Sequence, residues 1–396
     1  MTVKAMTPRL SADDILDRVL SETGLNDFGD TRFLRDYRHT INAINEELDL
    51  TEEGIANLGE MAERMMVNRL RMYRDITAHP EILEEVIVPP VVVTGFARSG
   101  TTKMQRLLSS GPAFQKLANW KVLNIAPFPS ADASGEDPRI AWTENVMSLM
   151  QKAYPELVAQ HPTPARDAEE DYPFHDMTFR SPTIPMRVGA HKLLAELNVI
   201  PDAIYDYVKT CLQYLQWQDK TPDGGRRPWV IKSPIHLGNI ATLQRVFPGA
   251  RIIHCHRDVE VCTASSARMD EIMRVTFTQG IDMKDLGNEI LDYWSGEWDR
   301  NIAQRPKLEP GSFCDVHFED INRNSVAIVR RIYGFLGMDF DQTAEDAVLH
   351  WEANNERHKF GRHEYDAADY GLTREKVHRA YQRYFDYFTE EKFLRL

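Results

Sequence analysis

Apolar positions change their period along this chain. Through the first 80 residues they recur at helical spacing among charged positions. Ile55, Leu58, Met61, Met65 and Leu70 fall on one face of a helix read from Thr51 to Arg74. A capped helix start is legible earlier, where Leu10-Ser11 precedes Ala12-Asp13-Asp14, and His79-Pro80 closes the segment. Val91-Val92-Val93-Thr94 then forms a short continuous run of β-branched residues, the pattern of a parallel strand buried on both faces. A glycine-bearing loop follows. The next helix, Thr101 to Ser110, carries Met104, Leu107 and Leu108 on one side and stops at Gly111-Pro112.

Residues 112–228 are less regular. Clusters such as Pro127-Phe128-Pro129-Ser130 and His161-Pro162-Thr163-Pro164-Ala165-Arg166 interrupt helices predicted around 138–153 and 188–217. An α/β rhythm resumes with the strand Trp229-Val230-Ile231 and a helix from about Leu237 to Val246. A strand from Arg251 to Cys255 precedes a helix from Asp258, and helices follow near 283–303. A strand from Ser312 to Phe318 leads into a helix from Ser325 to Leu336. Strands alternating with helices predict an α/β fold, a parallel sheet flanked by helices on both faces. The division expected is an N-terminal helical extension over 1–80 and an α/β domain over 81–396, with a helical insertion at about 112–228. The chain shows no internal repeat and no low-complexity tract.

Composition narrows the partners. The 396 residues hold 47 Lys and Arg against 60 Asp and Glu, a formal charge of −13. That balance argues against a nucleic-acid or anionic-membrane binder, which needs a net basic face, yet leaves room for a local basic pocket. The four cysteines, Cys211, Cys255, Cys262 and Cys314, lack zinc-site spacing, and buried thiols are expected. Residues 1–20 lack a signal-peptide pattern, and the run Val86 to Phe96 is too short to span a bilayer. The expected location is cytoplasmic, with no membrane insertion. Composition is silent on oligomeric state.

Two loops carry candidate chemistry. The first reads Gly95-Phe96-Ala97-Arg98-Ser99-Gly100-Thr101-Thr102, with the spacing of a Walker A loop but Thr101 where the lysine belongs. Between a strand and a helix, such a loop turns backbone N–H groups and a helix dipole on an anion. Arg98 supplies a cation inside it. The second follows the strand ending at Cys255: Arg257 is followed by Asp258, a plausible helix cap, and by Ser265 about two turns on. Arg257 and Ser265 can then close on one phosphate. Lys232 leaves the strand before it at the carboxyl edge of the sheet, where open α/β folds bind ligands.

Together these loops resemble the 3′-phosphoadenosine 5′-phosphosulfate (PAPS)-dependent sulfotransferase family. The likeness extends to its bacterial-type branch through Trp229-Val230-Ile231-Lys232-Ser233-Pro234-Ile235-His236 and Val246-Phe247-Pro248-Gly249-Ala250-Arg251. It continues through His317-Phe318-Glu319-Asp320-Ile321, Tyr333-Gly334-Phe335-Leu336-Gly337 and the segment Lys359 to Leu372. The resemblance implies a P-loop sulfotransferase-like fold and transfer of a sulfuryl group from PAPS to a small, largely apolar hydroxyl acceptor. The product nucleotide is adenosine 3′,5′-bisphosphate, and no metal is expected. By the same resemblance, Arg98, Ser99, Gly100, Thr101 and Thr102 hold the 5′-phosphosulfate, and Arg257 and Ser265 hold the 3′-phosphate. Lys232 stabilises charge at the breaking bond. Lys359, Gly361 and Arg362 either close over the 3′-phosphate or form a basic surface loop.

Two departures bear on the chemistry. Several related members carry a Trp-Glu pair after the P-loop helix that offers a general base; here the pair is Trp120-Lys121. His236 and Glu170 remain as candidate bases, the latter in Glu169-Glu170-Asp171, matching an acidic element of the branch. Lys103 stands where many cytosolic members place an adenine-stacking Trp. Between 112 and 228, residues such as Tyr172, Phe174, Met177, Phe179 and Met186 suit an apolar acceptor pocket and equally a helical core. Two other functions stay open: a P-loop kinase or NTPase, and a non-catalytic nucleotide-binding protein of the same fold.

Overall fold

The computed structural model describes residues 9–30, 32–129, 135–219, 227–355 and 366–388. At its centre lie five parallel strands: β1 (Val91–Gly95), β2 (Gln115–Lys116), β3 (Trp229–Lys232), β4 (Arg251–His256) and β5 (Phe313–His317), in the order β2-β3-β1-β4-β5. The register pairs Val93 with Lys232 on one side of β1 and with Ile253 on the other. β1 is therefore central, and it consists of β-branched residues because both its faces are covered. Val91 and Val93 pack with Met104, Leu107, Ile253, Val316 and Ile328 on one face. Val92 packs with Ile231, Ile252 and Leu212 on the other.

The N-terminal helices α1 (Ala12–Thr23), α2 (Arg32–Glu47) and α3 (Glu52–Ala78) join that second cluster. Ser11 caps α1 by accepting from the Asp14 N–H, and Leu58, Met61, Met65 and Leu70 of α3 are buried. Helix α4 (Thr101–Leu108) follows the loop after β1. The helix predicted over 188–217 is three helices instead: Thr183–Val188, His191–Leu197 and Asp202–Asp219. Gly189 breaks the first at φ 89°, where a side chain would also meet Arg274, and Pro201, which lacks an N–H, precedes the last. The short strand β2 has no two-residue period to reveal it. All four cysteines are buried free thiols. Among the described residues, no helix is long and apolar enough to cross a membrane.

The strand order sets the location of a ligand crevice. From β1 the chain moves outward to β2 and β3, then crosses β1 to build β4 and β5 on the other side. Connections from β1 and β4 thus leave in opposite directions at their carboxyl ends, the switch point at which open parallel sheets bind ligands.

Candidate active site

The loop after β1 is shaped by close approach. Gly95 has φ 151°, and a Cβ there would stand 2.3 Å from the carbonyl oxygen of Cys255 on β4. Gly100 has φ 91°, and its Cβ would fall 2.8 Å from the Phe318 ring. Between them Arg98 adopts φ 71°, a left-handed conformation that costs a non-glycine residue about 1–3 kcal/mol. Its neighbours hold it there. Arg98 Nε donates to Ser265 Oγ at 3.2 Å, Nη1 donates to the Gln160 carbonyl at 3.0 Å, and its own carbonyl accepts from Arg257 Nη1 at 2.8 Å. Arg98, Arg257 and Ser265, spread over 168 positions of the sequence, therefore meet at the β1–β4 crevice. Asp258 caps the helix Val259–Arg274 by accepting from the N–H groups of Glu260 and Val261. That helix carries Ser265 towards Arg98.

The α4 N-terminus opens on the same crevice. Thr101 and Thr102 lie in its first turn, whose N–H groups have no partner within the helix. Unpaired donors and the positive end of the dipole favour an anion here.

Lys232, the last residue of β3, is fully buried, and its ammonium contacts Thr102 Oγ1 at 3.1 Å and Glu170 Oε1 at 2.5 Å. The strand-end lysine thus joins the phosphate-type loop to a carboxylate 62 residues away. Glu169 lies behind it, held by His161 at 3.0 Å and by Arg106 at 3.4 Å, with Lys232 at 4.0 Å. Burial alone would raise the Glu169 carboxyl. The charges of His161, Lys232 and Arg106 overcome that and keep it well below the usual carboxylate range.

His236 takes another position. It is fully buried, with Nδ1 3.0 Å from the Tyr205 hydroxyl and Nε2 3.1 Å from both oxygens of Asp171. The Asp171 N–H donates to the Lys232 carbonyl at 3.1 Å, so this network braces the segment carrying Glu170 against the end of β3. Burial raises the Asp171 carboxyl, but the adjacent His236 and His175 reverse the shift and hold it low. Both ring nitrogens of His236 have internal partners, and it does not line the cavity. Of the two candidate bases, the geometry brings Glu170 to the site and leaves His236 in the supporting structure.

A cavity of about 490 Å³ spans these elements. Arg98, Gly100, Thr101, Thr102, Glu170 and Arg257 line it, whereas Ser99 is buried beneath the loop. Tyr172 and Met186 line it as well; Phe174, Met177 and Phe179 belong to the core beside α2 and α3. Lys359, Gly361 and Arg362 lie outside the described residues. Lys121 pairs with Asp219 and is absent from the lining, so the Trp120-Lys121 departure falls away from this site. Lys103 does line the cavity, paired with Glu352 at 2.8 Å.

Several lining residues carried no signal in the sequence reading. Phe318 lies under the Arg257 guanidinium, 4.1 Å from ring centroid to carbon, and Trp351 also lines the cavity. Gln160, whose carbonyl accepts from Arg98, ends the short helix Pro155–Gln160. Ser266, Met269, Asp270 and Met273 line the cavity from the Val259–Arg274 helix. Their i, i+3, i+4, i+7 spacing is visible in the sequence, but it does not say which face meets a ligand.

Three clusters among the described residues bring possible metal-ligand atoms within 4.8 Å of one another: Asp171-His175-His236, His254-His256-Asp315 and His161-Glu169-Glu170. Each carboxylate core is engaged internally. Asp315 takes a two-point contact from Arg305 at 2.9 and 2.6 Å besides His256 at 2.8 Å. Asp171 is held by His236, and Glu169 by His161 and Arg106.

Comparison with known proteins agrees with this geometry. A model described as "Sulfotransferase family" matches residues 89–342. The chain is similar to omega-hydroxy-beta-dihydromenaquinone-9 sulfotransferase Stf3 of Mycobacterium tuberculosis and of Mycobacterium bovis. Each is 23% identical over 285 residues, 70% of this chain and 70% of the relative. In three dimensions it resembles sulfotransferase STF1 from M. tuberculosis H37Rv, with a TM-score of 0.82 at 23% identity over 95% of this chain and 99% of that one. It also resembles STF9 from Mycobacterium avium, with a TM-score of 0.84 at 23% identity over 98% of each chain.

Proposed function

The chain belongs to the sulfotransferase family, and we propose that it moves the sulfuryl group of PAPS to the hydroxyl of a largely apolar acceptor. One observation carries this reading. Lys232, fully buried behind the cavity wall, bridges Thr102 of the phosphate-type loop to Glu170, and both of these line one cavity, so an anion site and a base lie side by side with a cation between them.

The residues fit the donor nucleotide. The N-terminus of α4, with Thr101 and Thr102, faces the 5′-phosphosulfate, and Arg98 supplies the loop's cation. Arg257 and Ser265 offer a guanidinium and a hydroxyl to the 3′-phosphate. Thr101 in the position of a Walker lysine leaves the loop less basic than one built for a triphosphate.

Transfer is an in-line displacement governed by positioning and electrostatics, as in phosphoryl transfer. The acceptor oxygen forms a bond to sulfur as the bond from sulfur to the bridging phosphate oxygen breaks. That electron pair leaves with the phosphate. Glu170 takes the hydroxyl proton. Lys232 exchanges its contact with Glu170 for the charge growing on the leaving oxygen, where a fixed cation in a water-poor cavity counts most.

Tyr172, Met186, Ile235 and Trp294 give part of the cavity an apolar wall suited to the carbon frame of an alcohol or phenol. The relative Stf3 is named for a hydroxylated menaquinone, which supports an apolar hydroxyl acceptor of unspecified size here. The four buried free thiols suit work in a reducing cytoplasm.

Thermal-shift titration with adenosine 3′,5′-bisphosphate, against ATP with Mg²⁺ and AMP as controls, tests the donor assignment. Ligand at 100 times its dissociation constant stabilises the fold by about 2.7 kcal/mol. A shift confined to the bisphosphate is expected. A shift with ATP and Mg²⁺ alone points to a kinase instead, and none with any nucleotide points to a non-catalytic relative of the fold.

A further inference from the structure

Asp270 is a buried carboxyl that the transfer chemistry does not use. It is 5% exposed, it lines the cavity, and its Oδ2 has no hydrogen-bond partner. The nearest cation is Arg274, whose Nη2 stands 3.8 Å from Oδ2, an ion pair beyond hydrogen-bond distance, while its Nη1 donates to Glu289 at 2.7 Å and its Nε to the Met186 carbonyl at 3.3 Å. An acceptor oxygen left without a donor in an apolar setting costs about 1–3 kcal/mol, so its retention in a cavity wall asks for a ligand that satisfies it.

Its surroundings say what kind of ligand. Ser266, Met269, Asp270 and Met273 share the cavity-facing side of the Val259–Arg274 helix, and Met186 faces the cavity as well. Methionines give that wall a deformable apolar surface that accommodates a hydrocarbon frame. The helix begins at the anion end, beside Arg257, and Ser265 touches Arg98. At a rise of 1.5 Å per residue, Asp270 lies about 7.5 Å further along the axis than Ser265. Its carboxylate is thus displaced from the phosphate-type contacts into the apolar end of the cavity.

We propose that Asp270 is a specificity-determining residue for the acceptor, accepting a hydrogen bond from a second donor group, hydroxyl or ammonium, on an otherwise apolar alcohol or phenol. The inference rests on the sulfotransferase reading above and adds to it the shape of the acceptor. The molecule has two polar ends, one at Glu170 for reaction and one at Asp270 for recognition. A site built to bond such a group rejects an isostere lacking it far more strongly than an apolar pocket discriminates by size.

Three matched phenols test this: 4-propylphenol, 4-(2-hydroxyethyl)phenol and 4-(2-aminoethyl)phenol. Each is measured for turnover with PAPS and for binding in the presence of adenosine 3′,5′-bisphosphate. The wild-type protein is expected to favour at least one donor-bearing phenol over 4-propylphenol by about tenfold or more in kcat/KM or in affinity. That preference is expected to collapse to within about twofold in Asp270→Leu. In the near-isosteric Asp270→Asn, which serves if the leucine variant does not fold, the ammonium arm is expected to lose more than the hydroxyl arm. Equal treatment of all three phenols by the wild type, whether all bind or none, overturns the inference. So does a preference that survives both substitutions. Bisphosphate binding without acceptor discrimination removes only the role of Asp270, whereas no bisphosphate binding removes the donor reading beneath it.

Discussion

The ammonium of Lys232 lies 2.5 Å from Glu170 Oε1 and 3.1 Å from Thr102 Oγ1, at the carboxyl end of the strand beside β1. A cation that contacts both a carboxylate and the first turn of the phosphate-type helix can serve bond breaking and bond making together. Replacing Glu170 by Gln keeps the shape and removes the proton acceptor. Turnover is expected to fall by about 10²- to 10⁴-fold, with bisphosphate affinity changed far less. Single-turnover kinetics beside calorimetry separate the two effects; an E170Q enzyme with undiminished turnover excludes Glu170 as base.

His236 should behave differently. Its substitution by Gln breaks contacts to Asp171 and Tyr205 inside the fold, and a buried partner left unsatisfied costs about 1–3 kcal/mol. Urea denaturation is expected to show a lower midpoint at an unchanged slope, and the folded fraction is expected to retain most of its turnover. A variant of native stability that has lost catalysis would restore His236 as the base.

Arg98 and Arg257 meet at one carbonyl, and in the proposed donor assignment each guanidinium contacts the nucleotide. Substituting either by Ala removes a charge-assisted contact worth about 1.5–3 kcal/mol. Calorimetry with adenosine 3′,5′-bisphosphate should register a loss of roughly ten- to 150-fold in each variant. Because the two arginines touch, their effects are not expected to add, which a double-mutant cycle measures.

Gly95→Ala probes the loop itself. The added methyl carbon would stand 2.3 Å from the Cys255 carbonyl oxygen, so β1 and β4 must separate or the loop must move. A destabilisation of about 1–3 kcal/mol is expected, together with loss of the bisphosphate thermal shift. A native melting profile with full nucleotide binding contradicts the close-approach account.

Stability should also respond to pH with a definite sign. Burial holds His175, His254 and His256 below the ordinary histidine range. The unfolded chain therefore takes up protons near pH 6.5 that the folded chain refuses, and stability present above that pH is lost as it falls. Burial acts oppositely on Asp176 and Asp270, raising both, Asp270 to about 7, so their folded forms take up protons first. The three histidines predict a lower melting temperature at pH 5.5 than at pH 7.5, with Asp270 opposing them. Asp270→Asn removes an opposing group, so its decline should be steeper between pH 6.5 and 5, by up to about 1.4 kcal/mol per pH unit. An unchanged slope in the variant would show that Asp270 is ionised in the fold at these pH values.

Local chemistry made much of this protein legible. β-branched runs mark strands that are covered on both faces, and Gly95, Arg98 and Gly100 between strand and helix mark an anion loop. Asp258 after a strand marks a cap, with Arg257 just before it and Ser265 on the helix that it opens. Each of these is decided within about ten residues of chain, by backbone sterics and helical period. The α/β class and the glycine-bearing loop between β1 and α4 follow from those local patterns, whereas Arg257 and Ser265 are brought together only through Arg98. Tertiary packing sets Glu170 apart from His236: His236 is enclosed by Tyr205 and Asp171, and Glu170 reaches Lys232. It alone brought Phe318 beneath Arg257 and left Asp270 in the cavity wall with its Oδ2 buried and without a hydrogen-bond donor. The contacts of His236, Lys232 and Arg257 join residues 31 to 65 positions apart, and burial, which sets the partners and the charge of each group, is a property of the packed chain rather than of any stretch of it.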